Sequence, residues 1–128
     1  DEISYRFSRP QRSEAVVFRF PEDPSQFFIK RIIGLPEETI EISDNRVIIY
    51  NEENREGLII NESDYLDPGQ RTEGRLKIKL DEKEYFVLGD NRLQSSDSRR
   101  WGTLDESFIV GRVLIRAWPI EKTEYFER

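Results

Sequence analysis

The sequence predicts a mostly β fold: coiled antiparallel sheets, a sandwich or partial barrel, with a small β insertion and one short helix. Three observations carry this. Seven short runs are rich in branched or aromatic side chains and bounded by turn formers. "LKIKL" (76–80) alternates cleanly, placing Leu76, Ile78 and Leu80 on one face and both lysines on the other. Only one segment has the spacing of a helix start. A chain of 128 residues suits a single domain with its own core, so residues 1–128 are read as one unit.

Taken in order, the predicted strands are "AVVFRF" (15–20), "FFIKRII" (27–33), "TIEI" (39–42), "RVIIY" (46–50), "LKIKL", "YFVL" (85–88) and "IVGRVLIRAWP" (109–119). "SDN" (43–45) is a tight hairpin connection between the third and fourth. The segment 51–75 is more polar and reads as an insertion or hairpin excursion with a variable surface role. In "TLDES" (103–107), Thr103 and Glu106 have capping-box spacing, which predicts a turn or two of helix there. Trp101 and Trp118 admit two readings, anchors at a membrane interface or plain core packing.

Composition excludes several function classes. The net charge of -6 provides no basic footprint, so no nucleic-acid partner is expected. Without cysteine there is no thiol nucleophile, disulfide or thiolate metal site. Without histidine there is no Ser-His-Asp triad, histidine-ligated zinc or ordinary histidine base within the chain. Acid-base chemistry near neutral pH then falls to a carboxylate, a lysine or a tyrosine. No stretch has the length of a membrane span. The chain starts at Asp1 and contains no methionine, so it reads as a soluble part of something longer.

In "FFIKRIIGLPEE" (27–38), period two places Phe28, Lys30 and Ile32 on one face and Ile29, Arg31 and Ile33 on the other. Each face carries one cation between apolar neighbours. The plain expectation for such a lysine is a stem that snorkels to water. The sharper one is a desolvated amine: burial disfavours the ammonium and can bring a lysine from about 10.4 to roughly 7–8, the range of a general base. Such a lysine could activate a serine hydroxyl.

The polar stretch "GDNRLQSSDSRRWG" (89–102) follows a strand, with Gly89 and Asp90 permitting a sharp exit. Asp97 sits two residues before Arg99, within reach of a charge-assisted pair. A calcium loop fails because Arg92 stands where an oxygen ligand is needed and no Glu closes the loop. A phosphate loop fails for want of glycines. An ordered polar turn, or a scaffold that orients a catalytic group, remains.

"FIKRIIGLPEE", then "GDNRLQSSDSRRWG", then "VGRVLIRAWP" (110–119) together resemble the type I signal peptidases, membrane-anchored Ser-Lys proteases that cleave signal peptides from exported proteins. "PQRSEAVVFRFP" (10–21) is similar to that family's strand "P-K-R-G-D-I-V-V-F", so the resemblance runs almost end to end. It implies that Lys30 is the general base and that Ser95 orients it. It implies an ion pair between Asp97 and Arg99 bracing the turn, with Asp90 and Arg92 in supporting, structural positions. The implied partners are the signal peptides of preproteins and, through the parent protein, a membrane surface, with the catalytic region on the extracytoplasmic side. No cofactor or metal is implied. An extended substrate would add to a sheet edge, with "AVVFRF" or the Lys30 strand providing part of it.

The family's nucleophile lies in a Ser-x-Met-x-Pro motif. Neither Ser4, Ser8 nor Ser96 stands in that context, so the expectation is that the nucleophile and the membrane anchor lie before Asp1 and that the fragment alone is inactive. Two smaller departures are Glu37, where the family usually has glycine, and Ser13-Glu14, where it has Gly-Asp. A glycine replaced at a turn reads as a relaxed need for positive φ. The alternatives are a non-catalytic peptide-binding or structural β domain derived from the same family, and a repressor-type self-cleaving Ser-Lys protease. The glycine-aspartate-asparagine-arginine block argues against the latter.

Overall fold

The computed structural model describes residues 3–5 and 9–113. Its strands, in chain order, are β1 (Ile3–Tyr5), β2 (Ala15–Phe20), β3 (Asp23–Gly34), β4 (Thr39–Ser43), β5 (Arg46–Asn51), β6 (Asn54–Ile59), β7 (Leu76–Lys79), β8 (Glu84–Leu88), β9 (Leu104–Asp105) and β10 (Ile109–Val113). They form two antiparallel sheets, one in the order β1-β10-β2-β3-β8-β9 and one in the order β6-β5-β4-β7. The mostly β fold with antiparallel sheets and one short helix is therefore present. Residues 114–119 of the last predicted strand, Trp118 among them, lie outside the described residues.

The pleat explains how the core is divided. Residues of β3 and β8 alternate between faces, and both faces are covered. Val16, Phe18, Phe20, Phe28, Ile32, Tyr85, Val87, Leu104 and Ile109 form one buried cluster, with Trp101 and Phe108 packed against it. On the other face, Ile33, Phe86 and Leu88 meet Ile40, Ile42, Val47 and Ile49 of the second sheet. Each fully buried aliphatic or aromatic side chain contributes roughly 1.5–3 kcal/mol. "YFVL" is a continuous apolar run because neither of its faces meets water, whereas in "FFIKRII" Phe27 stays exposed and burial on both faces runs from Phe28 to Ile33, taking in Lys30 and Arg31.

The hairpin at "SDN" forms as expected. Asp44 (φ 54°) and Asn45 (φ 63°) both take the left-handed conformation that matches the twist of paired strands. The excursion from residue 51 contains β6, which pairs with β5. Neither "AVVFRF" nor the Lys30 strand is an edge strand of its sheet, because β2 is flanked by β10 and β3, and β3 by β2 and, over Arg31–Gly34, by β8.

The helix differs from expectation. It is α1 (Ser98–Trp101), and its cap is Asp97, whose side chain accepts from the Arg99 amide. "TLDES" instead begins with β9, whose Leu104 is buried and pairs with Tyr85. The Thr103 hydroxyl donates to Glu84 on β8 rather than capping a helix. Only a 3-10 turn, Glu106–Phe108, follows, and Asp105 caps it. Tertiary pairing of Leu104 thus overrides the local signal.

Candidate active site

Lys30 lies in the middle of β3, opposite Val16 of β2. It is 1% exposed and does not snorkel to water. Phe28 and Ile32 flank it on the same face, and its Nζ is 5.6 Å from the Phe28 ring centroid. Nζ donates to Ser95 Oγ at 3.1 Å. Two residues 65 positions apart thus meet because β8 pairs with β3 and delivers the loop after Leu88 to Lys30 (Arg31 opposite Leu88, Ile32 opposite Val87). The result is a primary amine at a fixed position with a directed hydrogen bond, the geometry that proton transfer needs.

Gly89 has a different job from the turn read from sequence. A Cβ there would stand 1.8 Å from Ser95 Oγ and 3.4 Å from Lys30 Nζ. The absence of a side chain is what lets Ser95 reach the amine.

Arg31 projects to the opposite face and is completely buried. Its Nε and Nη2 donate to Asp90 Oδ1 and Oδ2 at 3.2 and 2.7 Å, a two-pronged pair with both side chains sealed from water. Nη1 donates to the Ser13 carbonyl at 2.9 Å. The adjacent basic residues of "KR" therefore grip the same loop from its two sides: Lys30 through Ser95 and Arg31 through Asp90. Sequence reading singled out Asp90 without naming its partner. The signal was available, since a cation between Ile29 and Ile33 requires a carboxylate.

Asp97 and Arg99 form the expected pair at 2.8 Å, with Asp97 fully buried. Asp97 Oδ2 also accepts from the Gly89 amide at 3.0 Å, which ties the end of the loop back to its start. Arg92 is buried too; its Nε donates to the Gly89 carbonyl at 2.8 Å and its guanidinium pairs with Glu62. Glu62 was not foreseen, because nothing local marks it among the many charges of 51–75. Burial works against the charge on Arg92, but the hydrogen bonds and charge of Glu62 outweigh it and hold the guanidinium protonated above its ordinary value.

Ser96 accepts from Arg100 Nε at 2.9 Å, Ser4 lies on β1, and Ser8 is outside the described residues. Among the described residues no group of three or more acidic side chains converges to hold a metal ion. An open cleft lined by Glu37, Glu38, Tyr50, Glu53 and Lys79 includes neither Lys30 nor the loop 89–99.

Residues 1–118 match the family described as "Signal peptidase, peptidase S26". The chain belongs to that family. Among signal peptidase relatives, the signal peptidase I of Leptolyngbya laminosa is 37% identical over 95% of this chain and 60% of its own length. A probable signal peptidase I-1 of Synechocystis is 36% identical over 95% of this chain and 62% of its own. The chain thus spans about three fifths of the length of these relatives. A crystal structure of a signal peptidase I from Enterococcus faecalis superposes with a TM-score of 0.69 at 28% identity, covering 84% of this chain and 99% of that one. The resemblance read from the lysine and glycine-aspartate-asparagine-arginine blocks holds.

Proposed function

We propose that this chain is the catalytic region of a type I signal peptidase and that it removes signal peptides from exported preproteins by acyl transfer. The observation that carries this is the buried Lys30 Nζ donating to Ser95 Oγ at 3.1 Å. A serine hydroxyl attacks the peptide carbonyl, and its proton passes to the amine of Lys30. Lys30 returns that proton to the leaving amine, and water then hydrolyses the acyl-enzyme. Ser95 fixes the direction of the amine, and the Asp97–Arg99 pair holds the turn that carries Ser95. No serine in these 128 residues stands in a Ser-x-Met-x-Pro motif, so the attacking serine comes from chain outside them, together with a membrane anchor. The 128 residues alone are then inactive. Among the described residues no helix is long and apolar enough to cross a membrane. The protein works on the extracytoplasmic face.

The extended stretch of substrate before the cut adds to β3. β8 pairs with β3 only over Arg31–Gly34, so the backbone of β3 just upstream of Arg31 runs beside Lys30 beyond the β8 ladder.

The test is cleavage of a preprotein by the whole protein that carries this chain, with Ser95→Ala beside it. The wild type cleaves. Ser95→Ala lowers turnover about 100-fold with KM nearly unchanged and the fold retained. Failure of the wild type to cleave removes the function, and full turnover in Ser95→Ala removes the orienting role.

A further inference from the structure

Residues 60–72 leave the second sheet and return to it, tied at both ends to the β4–β5 hairpin. The Ile60 amide donates to the Val47 carbonyl at 3.0 Å, and the Thr72 amide to Asn45 Oδ1 at 2.7 Å. Between these anchors the segment reaches across to the loop that carries Ser95. Both Nη atoms of Arg92 donate to the Glu62 carboxylate, at 2.9 and 2.5 Å. Arg92 Nη1 also donates to Thr72 Oγ1 at 2.7 Å, and the Arg92 amide donates to Gln70 Oε1 at 2.7 Å. Tyr65, itself buried, lays its ring 4.2 Å from the guanidinium carbon of Arg31 and donates its hydroxyl to Glu62 Oε2 at 2.8 Å. Burial, with the Glu62 carboxylate beside it, holds that phenol protonated far above its ordinary value, so it stays a donor.

These contacts are not spread over the surface of the loop. They converge on Arg92 and Arg31, and both of these grip the chain around Gly89 and Asp90. Arg92 Nε holds the Gly89 carbonyl, the Arg92 carbonyl accepts from Arg99 Nη2 at 2.9 Å, and Arg99 pairs with Asp97, which in turn holds the Gly89 amide. Ser95 sits inside this closed circuit, its amide bonded to the Asn91 carbonyl at 2.9 Å. Arg92 is fully sealed from water and Glu62 is 10% exposed, so removal of the carboxylate strands a buried cation.

We propose that residues 60–72 are a clasp on the active-site loop and that Glu62 is a positioning residue for the Lys30–Ser95 pair, acting through Arg92. This rests on the dyad reading above, because it is Lys30 that Ser95 is placed to serve.

The test uses two variants of the whole active protein. Glu62→Gln keeps the shape and removes the charge. Gln70→Ala deletes one hydrogen bond at a half-buried position without stranding a charge, and decides the matter where Glu62→Gln does not fold. Turnover of a signal-peptide substrate is measured alongside amide hydrogen exchange at Gly89 and Ser95, with Ile40 and Ile49 in the second sheet as reference. The clasp predicts a kcat loss of about tenfold or more for Glu62→Gln, smaller for Gln70→Ala, with KM within about twofold. It also predicts faster exchange at Gly89 and Ser95 and unchanged exchange at Ile40 and Ile49. Wild-type kcat and wild-type exchange in both variants would overturn it. So would exchange that accelerates equally at all four amides, which marks a contribution to global stability alone. If Lys30→Ala cleaves normally, the dyad reading fails separately, and the exchange at Gly89 and Ser95 then judges the clasp by itself.

Discussion

Gly89 has no side chain because Ser95 and Lys30 occupy the space one would need. Gly89→Ala drives a methyl into Ser95 Oγ at 1.8 Å and Ser95 Cβ at 2.5 Å, so the loop must move. It is expected to cost about 1–3 kcal/mol in urea unfolding and to reduce cleavage along with it; an alanine variant of wild-type stability and activity would show that Ser95 is not held there. Two other residues sit where a glycine would be at ease. Ser13 (φ 75°) and Glu37 (φ 72°) both keep the left-handed backbone that the family's usual glycines would take, so the requirement for positive φ is not relaxed as the substitutions suggested. At both places the backbone makes the contacts: Ser13 N donates to the Ile32 carbonyl at 2.8 Å, and the Glu37 carbonyl accepts from Lys79 Nζ at 2.5 Å. Release of the left-handed penalty, about 1–2 kcal/mol, exceeds the added chain entropy of glycine, about 0.4–1 kcal/mol. Ser13→Gly and Glu37→Gly should each raise the unfolding midpoint, and a lowered midpoint would refute this. Lys30 and Ser95 were legible in sequence because motifs mark them. That Arg31 needs a carboxylate was legible from its apolar neighbours, but that Asp90 supplies it and that Glu62 pairs with Arg92 was not, because these contacts across 59 and 30 residues are made by loops that only the folded chain brings together.

At the scale of elements, Glu38 is the joint between the two sheets. Its carboxylate receives both Nη atoms of Arg12 at 2.6 and 2.8 Å, the Leu35 amide at 2.9 Å and Asn51 Nδ2 at 2.9 Å. It thereby fastens the chain before β2, the turn after β3 and the end of β5. Burial raises its pKa, but the hydrogen bonds of Arg12, Asn51 and Leu35 prevail and hold it below the ordinary value of 4.5. A folded-state value below the unfolded one means the contribution is complete above pH 4.5 and is lost as the pH falls below it. Glu38→Gln should therefore lose roughly 1–3 kcal/mol at neutral pH and show a shallower decline in stability on acidification. Parallel curves for the two proteins would contradict the assignment. The main strands were legible as elements, since each is an apolar run between turn formers. β9 and the place of the helix were not: Leu104 is drawn into the core beside Tyr85, and the helix is capped by Asp97, ahead of Thr103 in the chain.

At the scale of the whole molecule, two sheets bury both faces of β3 from Phe28 to Gly34, and the loop after β8 is held from both faces at once. Period two predicts that Lys30 and Arg31 point apart. Only the assembled sheets reveal that one loop answers both, and that residues 60–72 close over it. Everything in the proposed mechanism depends on the amine of Lys30 taking the proton of the attacking serine. The measurement that tests it most directly is single-turnover cleavage of a preprotein by Lys30→Ala in the whole protein, with its fold verified by thermal unfolding. The expected result is a folded protein whose cleavage rate falls by at least about 10²–10⁴-fold. A folded Lys30→Ala that cleaves at the wild-type rate would contradict it.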